Sequence, residues 1–175
     1  MEGKQRLPIG IDDFRKLREN GFYYVDKTLM IKNFIEIQDE VALIARPRRF
    51  GKTLNMTMLR EFFDIMEDSR AIFSGLAIMD TEYARQINSR PVIYLTFKDC
   101  KARTPDELLE LLKKELYREY LRFEKVLKVY WEQDSYEKQD FYSMIELLRS
   151  PRSHSVLMES ALRDLIHAVK GYYRI

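Results

Sequence analysis

The sequence predicts an α/β protein with a mostly parallel sheet, and three observations carry that expectation. Residues 41–45, Val-Ala-Leu-Ile-Ala, are a short and almost uninterrupted apolar run, which is how a strand covered on both faces reads. Gly51-Lys52-Thr53 comes next and opens a stretch in which Leu54, Met58, Phe62, Ile65 and Met66 recur at helical spacing. A second β-branched and aromatic run, residues 91–97, lies much too far downstream for a hairpin, so a parallel crossover is the connection that fits.

Ahead of the first strand, Asp12 stands at an N-cap position, Phe14 and Leu17 share one face, and Gly21 stops the helix. Residues 22–25, Phe-Tyr-Tyr-Val, are a brief β-prone run. Asp26 or Thr28 then caps a second helix whose apolar face includes Leu29, Phe34 and Ile35. This helical lead-in covers residues 1–40, and the core covers 41–175. Beyond the second strand, Thr104-Pro105-Asp106-Glu107 is a capping box with proline at the first helical position, and Leu108, Leu109, Leu112, Leu116 and Tyr120 carry that helix towards Tyr130. A polar stretch at 132–139 precedes an amphipathic segment at 141–148, which Ser150-Pro151 breaks. A last helix bears Met158, Ala161, Leu162, Leu165, Ile166 and Val169 as its stripe and ends at Gly171. With two convincing strands plus residues 22–25, the sheet reads as incomplete.

Composition narrows the function classes. The chain is 46% hydrophobic and 33% charged, the balance of a globular domain. Lys and Arg number 30 against 28 Asp and Glu, so the net charge of +2 argues for neither a nucleic-acid nor a membrane partner, and any basic site must be local. A single cysteine, Cys100, excludes an intramolecular disulfide framework and fits a reducing compartment, with the cytoplasm as default. No stretch approaches the roughly 20 apolar residues that span a bilayer, and the N-terminus leads into no signal-peptide apolar region.

The chemistry concentrates at the exit of the first strand. Arg46-Pro47-Arg48-Arg49-Phe50-Gly51-Lys52-Thr53 ends as the second half of G-x-x-x-x-G-K-[ST], with Arg46 in place of the first glycine. Gly51 lets backbone N–H groups approach phosphate oxygens, Lys52 reaches the β- and γ-phosphates, Thr53 offers a hydroxyl to Mg²⁺, and the helix N-terminus adds its dipole. A bare Gly-Lys-Thr is common by chance. A buried-type strand before it and an amphipathic helix after it favour the phosphate reading over a loop with a capping threonine. Without the first glycine, Arg46-Pro47 must make the tight turn.

Leu7-Pro8-Ile9-Gly10-Ile11, Phe14, Tyr24-Val25-Asp26-Lys27-Thr28, the arginine-rich loop through Leu54, and Pro91-Val92-Ile93 together resemble the AAA-ATPase-like family of bacterial and archaeal proteins, over nearly the whole chain. The resemblance implies that Arg46 is a family feature, that the fold is a three-layer P-loop NTPase of the additional-strand type, and that ATP and Mg²⁺ are bound. On that reading Arg48, Arg49, Phe50, Gly51, Lys52, Thr53, Leu54 and Tyr23 hold the nucleotide, Thr53 the metal, and Lys52 acts on the phosphates. Members commonly continue into a Walker B strand and many end in a nuclease-like domain, through which nucleic acid becomes a partner. No apolar strand ending in two acids follows Thr53, so the chain reads as an N-terminal fragment whose hydrolysis depends on acids beyond Ile175. Asp99 is the nearest substitute.

Rival readings use the same residues differently. Asp80 with Asp99-Cys100-Lys101 mimics a metal-dependent nuclease pattern, although Lys101 falls past the strand. Arg46, Arg48, Arg49 and Lys52 make a patch for nucleic-acid phosphates, with Tyr23 and Tyr24 as stacking platforms. Under strand alternation Tyr23 and Val25 share one face and Phe22 and Tyr24 the other, so at most one tyrosine meets the base of the nucleotide while the other belongs to the core, the alternative being a purely structural role for the whole lead-in. His154, His167, Trp131 and Cys100 read as structural or surface residues.

Overall fold

A computed structural model of the chain describes residues 6–45, 47, 50–131, 135–150 and 156–175, with the backbone alone at 131, 135–141 and 156–159. Among these residues there is no strand and no sheet, which overturns the expected α/β three-layer P-loop fold. Residues 41–45 form neither helix nor strand, and Val41 is 84% and Leu43 90% exposed. Residues 91–97 form neither helix nor strand either, and there the Tyr94 N–H donates to the Glu119 carboxylate at 3.1 Å. What remains of sheet pairing is one isolated parallel bridge between Asp64 and Arg90. An apolar run makes a segment suitable for burial in a sheet, but a strand exists only when a neighbour accepts its hydrogen bonds, and that neighbour is a long-range fact.

The chain forms two compact units, Met1–Val92 and Ile93–Ile175. The first contains helices α1 (Phe14–Glu19), α2 (Leu29–Ile37), α3 (Lys52–Phe63) and α4 (Arg70–Phe73), followed by two 3₁₀ turns at Ala77–Asp80 and Glu82–Gln86. Asp13, one residue later than expected, caps α1 by accepting the Lys16 N–H at 2.7 Å. The Phe14 N–H is satisfied from another helix, by the Thr57 hydroxyl of α3 at 3.1 Å. Phe14 lies at the centre of this unit's core, edge-on to Tyr24 with ring centroids 5.4 Å apart and 4.9 Å from Phe73. On α2 the buried residue is Ile31, while Leu29 and Phe34 stay exposed. Met58 and Phe62 of α3 are fully buried, but α3 ends before Ile65 and Met66, because Asp64 turns extended and the Ile65 N–H pairs with the Arg90 carbonyl at 2.8 Å.

A polar network ties α1 to α3. The Arg15 guanidinium contacts Glu61 at 2.5 Å and Glu67 at 3.1 Å, and Glu61, 6% exposed at its side chain, also accepts the Ser69 hydroxyl at 2.8 Å. A charge this deeply placed persists only when paired and hydrogen-bonded, as it is here.

The second unit contains α5 (Pro105–Arg122), α6 (Glu124–Trp131), α7 (Ser135–Arg149) and α8 (Val156–Tyr173). The expected start of α5 forms: Thr104 accepts the Glu107 N–H at 3.2 Å, and Glu107 reaches back to the Arg103 N–H at 2.7 Å. The helix does not run through to Tyr130. It stops at Phe123, which is fully buried, and α6 resumes after it. The last helix passes Gly171 and continues to Tyr173. A Cβ at Gly171 would lie 2.3 Å from a ring carbon of Tyr130, so this glycine serves close approach of α6 and α8 and not helix termination.

Candidate functional site

Helix α3 starts at the Gly-Lys-Thr sequence, with Gly51 as its N-cap and Lys52 as its first residue. Gly51 occupies the left-handed region at φ 74°, with no atom near the place of a Cβ, so the backbone conformation itself calls for glycine. Its carbonyl accepts the Asn55 N–H at 2.9 Å, the first bond of the helix. Among the described residues no side chain caps the N-terminus, where the helix presents the positive end of its dipole. Lys52 is exposed, Thr53 and Leu54 are half-buried, and Phe50 is exposed. Arg46, Arg48 and Arg49 lie outside the described residues, so the expected arginine contacts of Arg48 and Arg49 and the basic patch have no geometry to report.

Beside this helix start is a cleft of about 190 Å³, lined by Pro8, Leu17, Tyr23, Tyr24, Val25, Lys27, Gly51, Leu54 and Asn55. That is smaller than the roughly 300–1,000 Å³ of pockets for whole drug-sized ligands, and suits one ring system of a larger molecule. Of the expected site residues, Tyr23, Gly51 and Leu54 meet here; Phe50, Lys52 and Thr53 stand at the helix start and are not part of the lining. Residues 22–25 alternate in burial, with Phe22 and Tyr24 half-buried and Tyr23 and Val25 exposed. Tyr24 is the packed tyrosine: besides its contact with Phe14, its hydroxyl lies 3.2 Å from the Met58 sulfur, and burial raises its pKa above the ordinary tyrosine value. Tyr23 keeps an open face.

Two further residues bear on the cleft: Asn55, which lines it and which motif reading overlooks, and Asp26, expected as a helix cap, which stands in the chain between the lining residues Val25 and Lys27. Asp26 braces its wall: one carboxylate oxygen accepts the Thr28 N–H at 2.8 Å and the Thr28 hydroxyl at 2.7 Å, and the other accepts the Ala77 N–H at 2.7 Å. Asn55 is only 3% exposed, and among the described residues its Nδ2 has no hydrogen-bond acceptor. An unsatisfied buried donor costs about 1–3 kcal/mol. Asn55 could have been noticed in the sequence, since Met58 and Phe62 follow it by three and seven residues and place it on the buried stripe of α3.

Of the nuclease-like pattern, Asp80 belongs to a 3₁₀ turn of the first unit, and Asp99 and Lys101 of the second are exposed, with the Lys101 N–H on the Asp99 carbonyl at 2.8 Å. Among the described residues, no three of His, Cys, Asp and Glu gather as metal ligands, and no helix is long and apolar enough to cross a membrane. Cys100 is half-buried. His167 is exposed on α8, and its ring stands 6.4 Å from that of Tyr130; His154 and the side chain of Trp131 lie outside the described set.

Comparison with known proteins gives two findings. The model of a family described as "AAA-ATPase_like: Predicted AAA-ATPase" matches residues 8–158. An "Uncharacterized protein in vnfD 5'region" from Azotobacter chroococcum mcd 1 is 38% identical over 107 residues, which is 60% of this chain and 19% of that protein. The chain thus spans about a fifth of the length of this relative. No solved structure matches.

Proposed function

Because the chain belongs to the AAA-ATPase-like family, whose model matches it over residues 8–158, we propose that it binds ATP with Mg²⁺ at the start of α3. The observation that carries this reading is the left-handed Gly51 opening a helix whose first residues are Lys52 and Thr53, next to an aromatic-walled cleft. Backbone N–H groups of the first turn receive phosphate oxygens, Lys52 neutralises the β- and γ-phosphates, and the Thr53 hydroxyl is the protein's ligand to the metal. Leu54 and Tyr23 receive the base, and Arg48 and Arg49, which precede Phe50 in the sequence, are the side chains assigned to phosphate contact. When bound, Mg²⁺ supplies charge neutralisation to the triphosphate. The proposal concerns binding. Turnover by the whole protein would also draw on a carboxylate that shares the metal and one that orients water.

Titration calorimetry with ATP and Mg²⁺ tests the reading. Binding in the micromolar range is expected for the 175-residue chain, weakened at least tenfold by Lys52→Ala with the melting temperature unchanged. Equal affinity in the two proteins, or no binding by either, would sink it.

A further inference from the structure

We infer that Asn55 reads the edge of the nucleobase in the cleft beside α3 and that the base it selects is adenine. The inference rests on the nucleotide reading of that helix start and deepens it by naming a residue for base choice. Asn55 combines three properties that have no structural explanation together. It is buried at 3% exposure on the same stripe as Met58 and Phe62, where an apolar side chain would serve packing better. Its Nδ2 lacks an acceptor among the described residues, which leaves a buried donor unused. And it lines the cleft in company with Tyr23 and Leu54, whose side chains supply the aromatic and apolar surfaces that hold a flat ring.

Position and chemistry narrow the ligand. Asn55 follows Gly51 by four residues, one turn further along the same face of α3, and both line the cleft. A carboxamide presents one donor and one acceptor side by side. That pair complements the N7 acceptor and the N6 amino donor of adenine, whereas guanine shows two acceptors, N7 and O6, on the same edge and leaves the amide oxygen facing O6. Stacking accepts any base; the amide distinguishes between them.

The test compares wild type, Asn55→Leu and Lys52→Ala in titrations with ATP, GTP and 2′-deoxy-ATP, each with Mg²⁺, alongside thermal melts without ligand. Wild type is expected to prefer ATP over GTP by about tenfold. Asn55→Leu should lose about tenfold in affinity for ATP and for 2′-deoxy-ATP, abolish the preference over GTP, and melt at or above the wild-type temperature, since leucine removes the unsatisfied donor. Should leucine not fold at this site, Asn55→Ala is read in the same way. ATP affinity and ATP:GTP ratio unchanged in the variant would overturn the inference while leaving the nucleotide site standing. A loss confined to ATP that spares 2′-deoxy-ATP would move the contact to the ribose and overturn the base assignment. Absence of any nucleotide binding by wild type would instead remove the nucleotide site, and this inference with it.

Discussion

At the scale of single residues, Asp26 shows how one carboxylate organises a wall of the cleft. It holds Thr28 by two hydrogen bonds and the 3₁₀ turn by the Ala77 N–H; Thr28, itself fully buried, accepts the Ile78 N–H at 3.2 Å. Partial burial opposes ionisation of Asp26, but the hydrogen bonds from Ala77 and Thr28, with the more distant positive charge of Arg18, hold its carboxyl below the ordinary range. A carboxyl depressed in the folded state contributes its full stability above its unfolded pKa, near 3.9, and loses it as pH falls through the folded value. Asp26→Asn should therefore cost about 1 kcal/mol at neutral pH, a figure reduced for solvent screening, and flatten the decline between pH 4 and 2. Urea unfolding across that window measures both; a wild-type acid limb in the variant would show that other carboxylates govern it.

Elements are where sequence reading succeeded most and where its errors are most instructive. The α5 start was legible because a capping box is local: Thr104, Pro105 and Glu107 carry the whole signal. Gly171 was read as a helix stop because glycine often is one, yet α8 continues past it and the Tyr130 ring of α6 fills the space a side chain would need. Helix propensity alone predicts that Gly171→Ala stabilises α8 by about 1 kcal/mol. The packing predicts the reverse, a loss of about 1–3 kcal/mol from forcing the ring aside. A double-mutant cycle decides between them. Gly171→Ala should lower the melting temperature in the wild-type background and raise it in a Tyr130→Ala background; a rise in both would return the glycine to a purely local role.

For the whole molecule, each unit has its own core, centred on Phe14 and Phe62 in Met1–Val92 and on Tyr120 and Leu165 in Ile93–Ile175. The buried Tyr120 hydroxyl donates to the Ala161 carbonyl at 2.7 Å, and burial foremost, then Asp164, pushes its pKa well above the tyrosine norm. All residues of the cleft belong to the first unit. Ligand that binds the folded state stabilises it by about 2.7 kcal/mol at a hundredfold excess over Kd. Hydrogen exchange with ATP and Mg²⁺ should accordingly slow at residues 22–25 and along the first turns of α3. Unchanged exchange at both segments under saturating ligand would place the nucleotide elsewhere.

What the sequence determined by itself is local chemistry. Gly51-Lys52-Thr53 opens a helix, Thr104 caps one, and residues 22–25 alternate in burial, because each outcome depends on backbone sterics and side chains a few positions apart. Only the tertiary structure decided what those pieces meet. It left residues 41–45 without a sheet, brought Tyr23 to Asn55 across a cleft, used Gly171 to admit Tyr130, and left an amide donor buried without an acceptor among the described residues. Pairing, close approach and satisfaction of a buried polar group are relations between distant segments, and hydrophobic periodicity reports only that a residue will be buried, not what will lie against it.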